Sequence, residues 1–199
     1  AGPIRITGNG SVASTGARPH IVLNLTSNRI AVDPWLPPDT PTPQGAAPAG
    51  APTGGSAPGG GWSRDRIDTS ALSTVDADVT MGIEAIEYGS YIVDNAQLAA
   101  ALKDGVLNVS QLAGGMFGGT FDLTAMLADR PTPEAAVTVK VRDADVRQAA
   151  QTAADTDTVS GILTYDTDLK AKGSSEYELV SNLNGAGSFQ VRDGTVKGF

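Results

Sequence analysis

Side chains able to do acid–base or nucleophilic chemistry are few in this sequence. The chain has one histidine, His20, and no cysteine among its 199 residues. A serine hydrolase pairs its histidine with a nucleophile motif such as G-x-S-x-G, and no such motif occurs. The lack of cysteine also excludes disulfides, thiolate chemistry and cysteine-based zinc sites. We therefore predict that the protein is not an enzyme.

Aspartates recur at a regular spacing of two residues. The pairs are Asp76/Asp78, Asp143/Asp145, Asp155/Asp157 and Asp166/Asp168. Residues i and i+2 of a strand point to the same side, so such a pair could bind calcium or flank a sugar. No EF-hand loop or calcium-binding repeat is present, and a solvated polar strand face is the simpler interpretation.

A glycine-rich segment, G-G-M-F-G-G at residues 114–119, superficially resembles a phosphate-binding loop. It lacks the Lys-Ser/Thr of a P-loop, and no helical pattern follows it. Strand bends beside a close backbone approach explain it better. The sequence therefore predicts no nucleotide cofactor.

The net charge disfavours two classes of partner. Acidic residues outnumber basic ones 22 to 14, which gives a formal net charge of −8. Nucleic acid and anionic lipid headgroups carry the same sign and repel such a chain, so we expect no nucleic-acid partner and no binding to an anionic headgroup surface. The sequence opens at Ala1 in a strand-like pattern without Met or a signal peptide, and we interpret it as a piece of a longer protein.

Alternating apolar and polar residues predict that these side chains are carried by a β-sheet. Every second residue from Val75 to Ala85 is apolar, and Asp76, Asp78 and Thr80 lie between them. The same alternation recurs in residues 96–102, 121–127, 137–141 and 163–169. The sequence therefore predicts a mainly β fold.

Turn and cap residues predict where these strands end. The dipeptides that predict two-residue turns are Asn9-Gly10, Gly89-Ser90, Asp104-Gly105 and Asp193-Gly194. The last two lie in similar settings, K-D-G-V and R-D-G-T, which suggests a repeated hairpin unit. Two or three short helices are predicted, one capped by Asp145, one capped by Ser175 and a third near residues 69–74.

A Pro- and Gly-rich segment divides the chain. Residues 37–61 contain no Ile, Leu, Val, Met, Phe, Trp or Tyr, and they hold seven of the twelve prolines. Such a segment cannot bury enough apolar surface to offset its ordering entropy, so we predict a disordered linker. Residues 1–36 are too few to fold alone, and their strand patterns predict that they join the sheet of residues 62–199.

The apolar face of this sheet exceeds what the helices can cover. About ten strands of about eight residues present a face on the order of 1,250 Å². Three ten-residue helices cover roughly 450 Å². The apolar face must therefore close on itself as a sandwich or barrel, or remain open toward a ligand.

Several segments together resemble the C-terminal region of AsmA-family proteins of Gram-negative bacteria. They are WSRDRIDTSAL at 62–72, DADV at 76–79, DGVL at 104–107, GGTF at 118–121 and LNGAGSFQVRDG at 183–194. The first 36 residues are similar to the hairpins that precede that region. The resemblance covers most of the chain outside the linker.

The resemblance implies a long, curled, mostly antiparallel sheet that forms an open groove or half-barrel, as in bridge-like lipid transfer proteins. It implies a periplasmic protein anchored in the inner membrane by an N-terminal helix of the longer parent chain, with a role in outer-membrane biogenesis. The implied partners are a phospholipid or other acyl-chain lipid and, as a further class, envelope-assembly proteins. It implies no cofactor and no catalytic residue.

A plain aliphatic lining is sufficient to bind acyl chains, because each buried methylene contributes about 0.8 kcal/mol. From strand parity we predict that the groove is lined by Val79, Met81, Ile83, Leu98, Leu102, Phe121, Leu123, Leu127, Val137, Val139, Val141, Leu163 and Tyr165. The alternative is a closed β-sandwich that acts as a structural or protein-interaction domain in envelope assembly.

Overall fold

The computed structural model describes residues 4–14, 16–31 and 62–197. These residues form nine strands, two α-helices and one 3₁₀ turn. The strands are β1 (Ile6–Ala13), β2 (His20–Ala31), β3 (Asp76–Tyr88), β4 (Tyr91–Lys103), β5 (Val106–Met116), β6 (Gly119–Ala128), β7 (Glu134–Asp145), β8 (Val159–Lys172) and β9 (Asn184–Val196). The helices are α1 (Val146–Ala154) and α2 (Glu176–Ser181), and the 3₁₀ turn is Ser70–Ser73.

All nine strands form one open sheet in the order of the sequence, with β1 and β9 at its edges. The prediction of a mainly β fold with few helices is confirmed. Neighbouring strands are antiparallel except β2 and β3, which are parallel. Parallel neighbours need a connection that returns to the starting end of the sheet. The predicted linker, residues 37–61, belongs to this connection and lies outside the described residues.

The turns at Gly89-Ser90 and Asp104-Gly105 are confirmed, whereas the hairpin predicted at Asn9-Gly10 is wrong. Asn9 and Gly10 lie inside β1, opposite Asn24 and Leu23 of β2. A Cβ on Gly10 would lie 2.8 Å from the Leu23 side chain, so this glycine permits a close strand approach rather than a turn. Continuous pairing with β2 therefore overrides the local turn preference.

The turn predicted at Asp193-Gly194 is also wrong, and with it the repeated hairpin unit. Both residues lie within β9. The pairing shifts from Ser160–Thr195 to Ile162–Arg192, so β9 carries one extra residue there. Asp193 has a φ of +53°, which the bulge accommodates. A residue pair that tolerates positive φ thus serves a bulge here and a turn at Asp104-Gly105.

The predicted helix starts are confirmed. The Asp145 carboxylate accepts hydrogen bonds from the backbone N–H of Arg147 (2.8 Å) and of Gln148 (3.2 Å). The Ser175 hydroxyl accepts from the N–H of Glu178 (3.2 Å). Both caps satisfy N–H groups that have no partner within their helix.

Residues 62–75 form a belt along one end of the sheet. The carbonyl oxygen of Ser63 accepts from the N–H of Tyr177 in α2 (2.9 Å), and the N–H of Ile67 donates to the carbonyl oxygen of Ser174 (2.8 Å). Farther along, Thr69 and Ser73 both donate to Asp129, just after β6. The belt therefore ties the far ends of β6 and β8 to the start of β3.

The buried core is small. Among the described residues, the buried apolar side chains are Ile30, Ile83, Ala85, Ala96, Ala128 and Ala144, and no large side chain is completely buried. A closed sandwich would bury large side chains from two facing sheets, whereas this part of the chain forms a single sheet. The closed-sandwich alternative is therefore wrong for the residues described.

Candidate functional site: an apolar sheet face

Strand pairing aligns large aliphatic side chains across the middle of the sheet. The direct neighbours, from β2 to β7, are Leu25, Met81, Leu98, Leu112, Leu123 and Val139. Directly paired residues point to the same side of a sheet, so these six form one row, called here the central row. With strands about 4.8 Å apart, the central row is about 24 Å long.

All thirteen predicted lining residues lie on the same side of the sheet as the central row. Val79 and Val137 flank it toward the belt, paired with Ala100 and Ala125. Toward the other end, Phe121 pairs with Val141, which pairs with Tyr165. We call this side the apolar face. Of the thirteen, Ile83 is buried and the other twelve are half-buried, so their side chains remain accessible.

Bulges keep the apolar face continuous. At three places an extra residue enters one strand and moves the apolar positions from two residues apart to three. The resulting same-side neighbours are Val93/Ala96, Val109/Leu112 and Val141/Ala144. Two of these bulges contain a residue with positive φ, Asn95 and Asp143. Without them, each strand would turn its apolar residues to the opposite side.

Sequence reasoning missed the contribution of β5 to this face. Leu107 pairs with Leu102 and Leu127, and Val109 and Leu112 continue the face across the bulge. The bulge breaks the two-residue period, which hid the strand. The three-residue spacing from Val109 to Leu112, inside an otherwise alternating stretch, is the pattern that indicates a bulged strand. On β9, Phe189 extends the apolar face beyond Tyr165.

The opposite side of the sheet, called here the polar face, carries hydrogen-bonded and paired side chains. The hydroxyls of Thr7 and Thr26 lie 2.8 Å apart, and His20 Nε2 lies 2.8 Å from Asp78 Oδ2. Arg142 donates to both oxygens of Asp166, at 2.7 Å each. His20 is thus a paired strand residue, and among the residues described no cluster of three His, Asp or Glu could hold a metal ion.

Ion pairs keep carboxylates of the polar face ionised. The hydrogen bonds from Arg142 lower the pKa of the Asp166 carboxyl. The ammonium of Lys172, 2.6 Å from Glu134, likewise lowers the pKa of that carboxyl. Both groups are therefore charged at neutral pH and act as ion-pair partners rather than as proton donors.

An open cleft of about 620 Å³ crosses β1 to β5, and its lining includes amides and hydroxyls of the polar face together with Leu25, Met81 and Leu98. The side-chain amide of Asn24 donates to Asn9, and that of Gln111 donates to Gln97, both at 3.3 Å. These polar groups satisfy one another at a solvated surface. The central row of the apolar face, by contrast, consists of aliphatic side chains alone and offers no hydrogen-bond partner.

The sequence model of the AsmA family matches residues 6–199, so the chain belongs to the AsmA family. No curated protein and no solved structure matches the chain. The family is associated with bacterial envelope proteins and is not known as enzymatic. No helix in the described part of the chain is long and apolar enough to cross a membrane.

Proposed function

We propose that this chain is a non-enzymatic periplasmic module that binds the acyl chains of phospholipid or another lipid on its apolar face. In the parent protein, anchored in the inner membrane, the module contributes to lipid transfer in outer-membrane biogenesis. The observation that carries the proposal is the central row, six aliphatic side chains aligned across β2 to β7 that are half-buried rather than buried.

The two faces of the sheet support this function in different ways. The polar face keeps the module solvated through its ion pairs and hydroxyl contacts. The apolar face presents half-buried Met, Leu and Val side chains in a row about 24 Å long. Contiguous apolar surface that stays partly accessible in this way is typical of a binding surface.

The energetics favour an acyl chain as the ligand. Each methylene removed from water contributes about 0.8 kcal/mol, so ten contribute about 8 kcal/mol before the entropy lost on binding. Aliphatic side chains impose no directional contact along the row. A lipid tail can therefore bind at many positions along the row, as transfer requires.

A matched pair of substitutions in β6 tests the proposal. Leu123 lies in the central row and Thr124 is the next residue, on the polar face. We expect Leu123→Glu to abolish binding of a fluorescent fatty acid and to remove lipid from organic extracts of the purified protein. A buried carboxylate beside an acyl chain is unfavourable, whereas Thr124→Glu adds the same charge to a solvated surface.

Circular dichroism of both variants serves as the folding control. Extracts of the wild-type protein that contain no lipid, together with no binding of the fluorescent fatty acid, contradict the proposal. Equal loss of binding in Leu123→Glu and Thr124→Glu contradicts the assignment of binding to the apolar face.

A further inference from the structure

The two ends of the sheet differ in the charge of their connections. At the belt end, the connections between strands carry charged residues, among them Arg18, Asp104 and Arg130. At the other end, called here the tip end, the β3–β4 and β5–β6 hairpins turn within residues 88–93 and 114–121. Neither range contains a charged residue. Because both hairpins close within the described residues, the tip end is formed by turns and not by an edge strand.

The tip end exposes an aromatic cluster, formed by Tyr88, Tyr91 and Phe117. The rings of Tyr88 and Tyr91 are stacked with their centroids 6.3 Å apart, and the ring of Phe117 meets that of Tyr91 edge-on at 6.2 Å. The cluster therefore joins the two hairpins. Tyr88 is 47% exposed, and Ile92, which follows Tyr91, is 46% exposed. Apolar and aromatic surface thus remains in contact with water where the hairpins turn.

The position of Phe117 is unusual for a large side chain. Phe117 and Gly118 form the two-residue turn of the β5–β6 hairpin, with φ values of +52° and +70°. Turns with positive φ at both positions favour Asn-Gly, because a bulky side chain is unfavourable in this region. Unfavourable backbone conformations of this kind cluster at functional sites. The glycine-rich segment 114–119 is therefore a hairpin tip that presents an aromatic ring at a backbone cost.

We propose that the tip end docks on the surface of a zwitterionic phospholipid bilayer, with the aromatic cluster in the headgroup region. Tyrosine suits this region because one end of its side chain is apolar and the other is polar. Both hairpin tips can enter without burying a charge, since neither contains one. The net charge of −8 opposes binding to an anionic surface, which favours neutral headgroups. This docking goes beyond acyl-chain binding on the apolar face and does not depend on it.

The length of the strands sets the orientation of the docked chain. β3 and β4 have 13 residues each, which corresponds to about 40 Å. When the tip end contacts the bilayer, the belt end therefore remains far from it. A sheet that instead lay flat on its apolar face would bring both ends to the bilayer. Labels at the two ends distinguish these arrangements.

Single cysteines can carry these labels, because the chain has no cysteine of its own. Ser90 is exposed in the β3–β4 turn, and Ser181 is exposed at the end of α2, near the belt. Ser90→Cys and Ser181→Cys are each labelled with an environment-sensitive fluorophore and mixed with phosphatidylcholine vesicles. We expect the emission at residue 90 to increase severalfold and to shift to shorter wavelength, and the emission at residue 181 to stay unchanged. Equal changes at both positions overturn the proposal.

A matched pair of substitutions tests the contribution of exposed apolar residues. Ile92 at the tip end and Leu183 at the belt end have similar exposure, 46% and 51%. We expect Ile92→Gln to weaken cosedimentation with phosphatidylcholine vesicles on the order of tenfold, as for an aliphatic side chain that loses its burial. Leu183→Gln should bind as the wild type does. Circular dichroism checks that both variants fold, and equal binding by the two overturns the proposal.

Phe117→Asn separates docking from stability. Asn-Gly suits the positive φ of this turn, so the variant should unfold at the same temperature as the wild type or at a higher one. Because the variant lacks the aromatic ring, its binding to phosphatidylcholine vesicles should be severalfold weaker. A variant that binds these vesicles as the wild type does contradicts the docking of this hairpin tip and overturns the proposal.

Vesicle composition tests the choice of partner. Phosphatidylglycerol added to the phosphatidylcholine vesicles should weaken binding, since it gives the surface the same sign of charge as the protein. Stronger binding to the anionic vesicles overturns the proposal, and so does a wild-type chain that binds no vesicle, which would leave the tip end to a protein partner. Leu123→Glu should keep vesicle binding and lose the fluorescent fatty acid, whereas Ile92→Gln should show the reverse. Failure of docking and failure of acyl-chain binding are therefore distinguished.

Discussion

Asp129 shows how a single carboxylate fastens the belt to the sheet. Its oxygens accept hydrogen bonds from the hydroxyls of Thr69 (2.6 Å) and Ser73 (2.7 Å). Its N–H donates to the carbonyl oxygen of Gly105 (2.8 Å). The hydroxyl of Thr69 and then that of Ser73 lower the pKa of the carboxyl below its usual value of 3.8. The ionised form is therefore the one that the folded state stabilises.

This lowered pKa predicts a loss of stability in acid. A carboxyl whose folded pKa is depressed contributes stability above its unfolded pKa and loses it as the pH falls through the folded value. Asp129 therefore loses its stabilising contribution as the pH falls to 3.8, the usual pKa of an aspartate, and below it. We expect Asp129→Asn to unfold at a lower temperature than the wild type at neutral pH. On acidification, the unfolding temperature of the variant should decrease less than that of the wild type.

Thermal unfolding followed by circular dichroism at neutral and acidic pH measures both effects. Asp122→Asn, at an exposed position of β6, is the control, since it changes the same charge without touching the belt. An Asp129→Asn variant with the acid sensitivity of the wild type contradicts this role of Asp129.

At the scale of elements, backbone conformation determines which glycines can be replaced by another residue. Gly82 lies within β3, and a Cβ there would meet no atom within 4 Å. Gly105 lies in the turn between β4 and β5 with a φ of +75°, and a Cβ there would lie 2.6 Å from the Ser73 hydroxyl. One glycine is thus replaceable and the other is required by the turn.

Substitution by alanine should therefore have opposite effects at these two positions. Gly82→Ala should raise the free energy of unfolding by about 0.5–1 kcal/mol, because alanine loses less backbone entropy on folding. Gly105→Ala should lower it by at least about 1 kcal/mol through backbone strain. Urea denaturation of both variants measures the difference, and the same sign at both positions would contradict the strand and turn assignments.

At the scale of the whole molecule, the described residues form a single sheet with one polar face and one apolar face. Twelve of the thirteen predicted lining residues are half-buried, so part of the apolar surface stays in contact with water in the folded state. Hydrophobic burial inside the chain is correspondingly small. A ligand that covers the apolar face should therefore stabilise the fold.

Lipid binding predicts a higher unfolding temperature. At a ligand concentration 100 times its Kd, linkage adds about 2.7 kcal/mol, which corresponds to roughly 5–10 °C for a chain of this size. We expect this shift with a lysophospholipid below its micelle concentration, measured by differential scanning calorimetry. Thr124→Glu should retain the shift and Leu123→Glu should lose it. An unchanged or lower unfolding temperature of the wild type contradicts the proposal.

Local patterns alone predicted a large part of the fold and of the candidate site. The two-residue period assigned Val79, Met81 and Ile83 to one side, because successive strand residues point to opposite faces. Cap chemistry located the helix starts at Asp145 and Ser175, since each depends on neighbours two or three residues away. These features involve few residues, close in the sequence, and need no knowledge of partner strands.

Pairing with neighbouring strands determined the features that local patterns did not predict. Asn9-Gly10 and Asp193-Gly194 satisfy the same local rule as Asp104-Gly105, yet the first two lie inside strands because β2 and β8 pair along their length. The bulge that hid β5 is a relation between two strands, so no single stretch of sequence contains it. The two-residue period therefore determined which residues are apolar neighbours within a strand, and tertiary pairing determined that they form one continuous face.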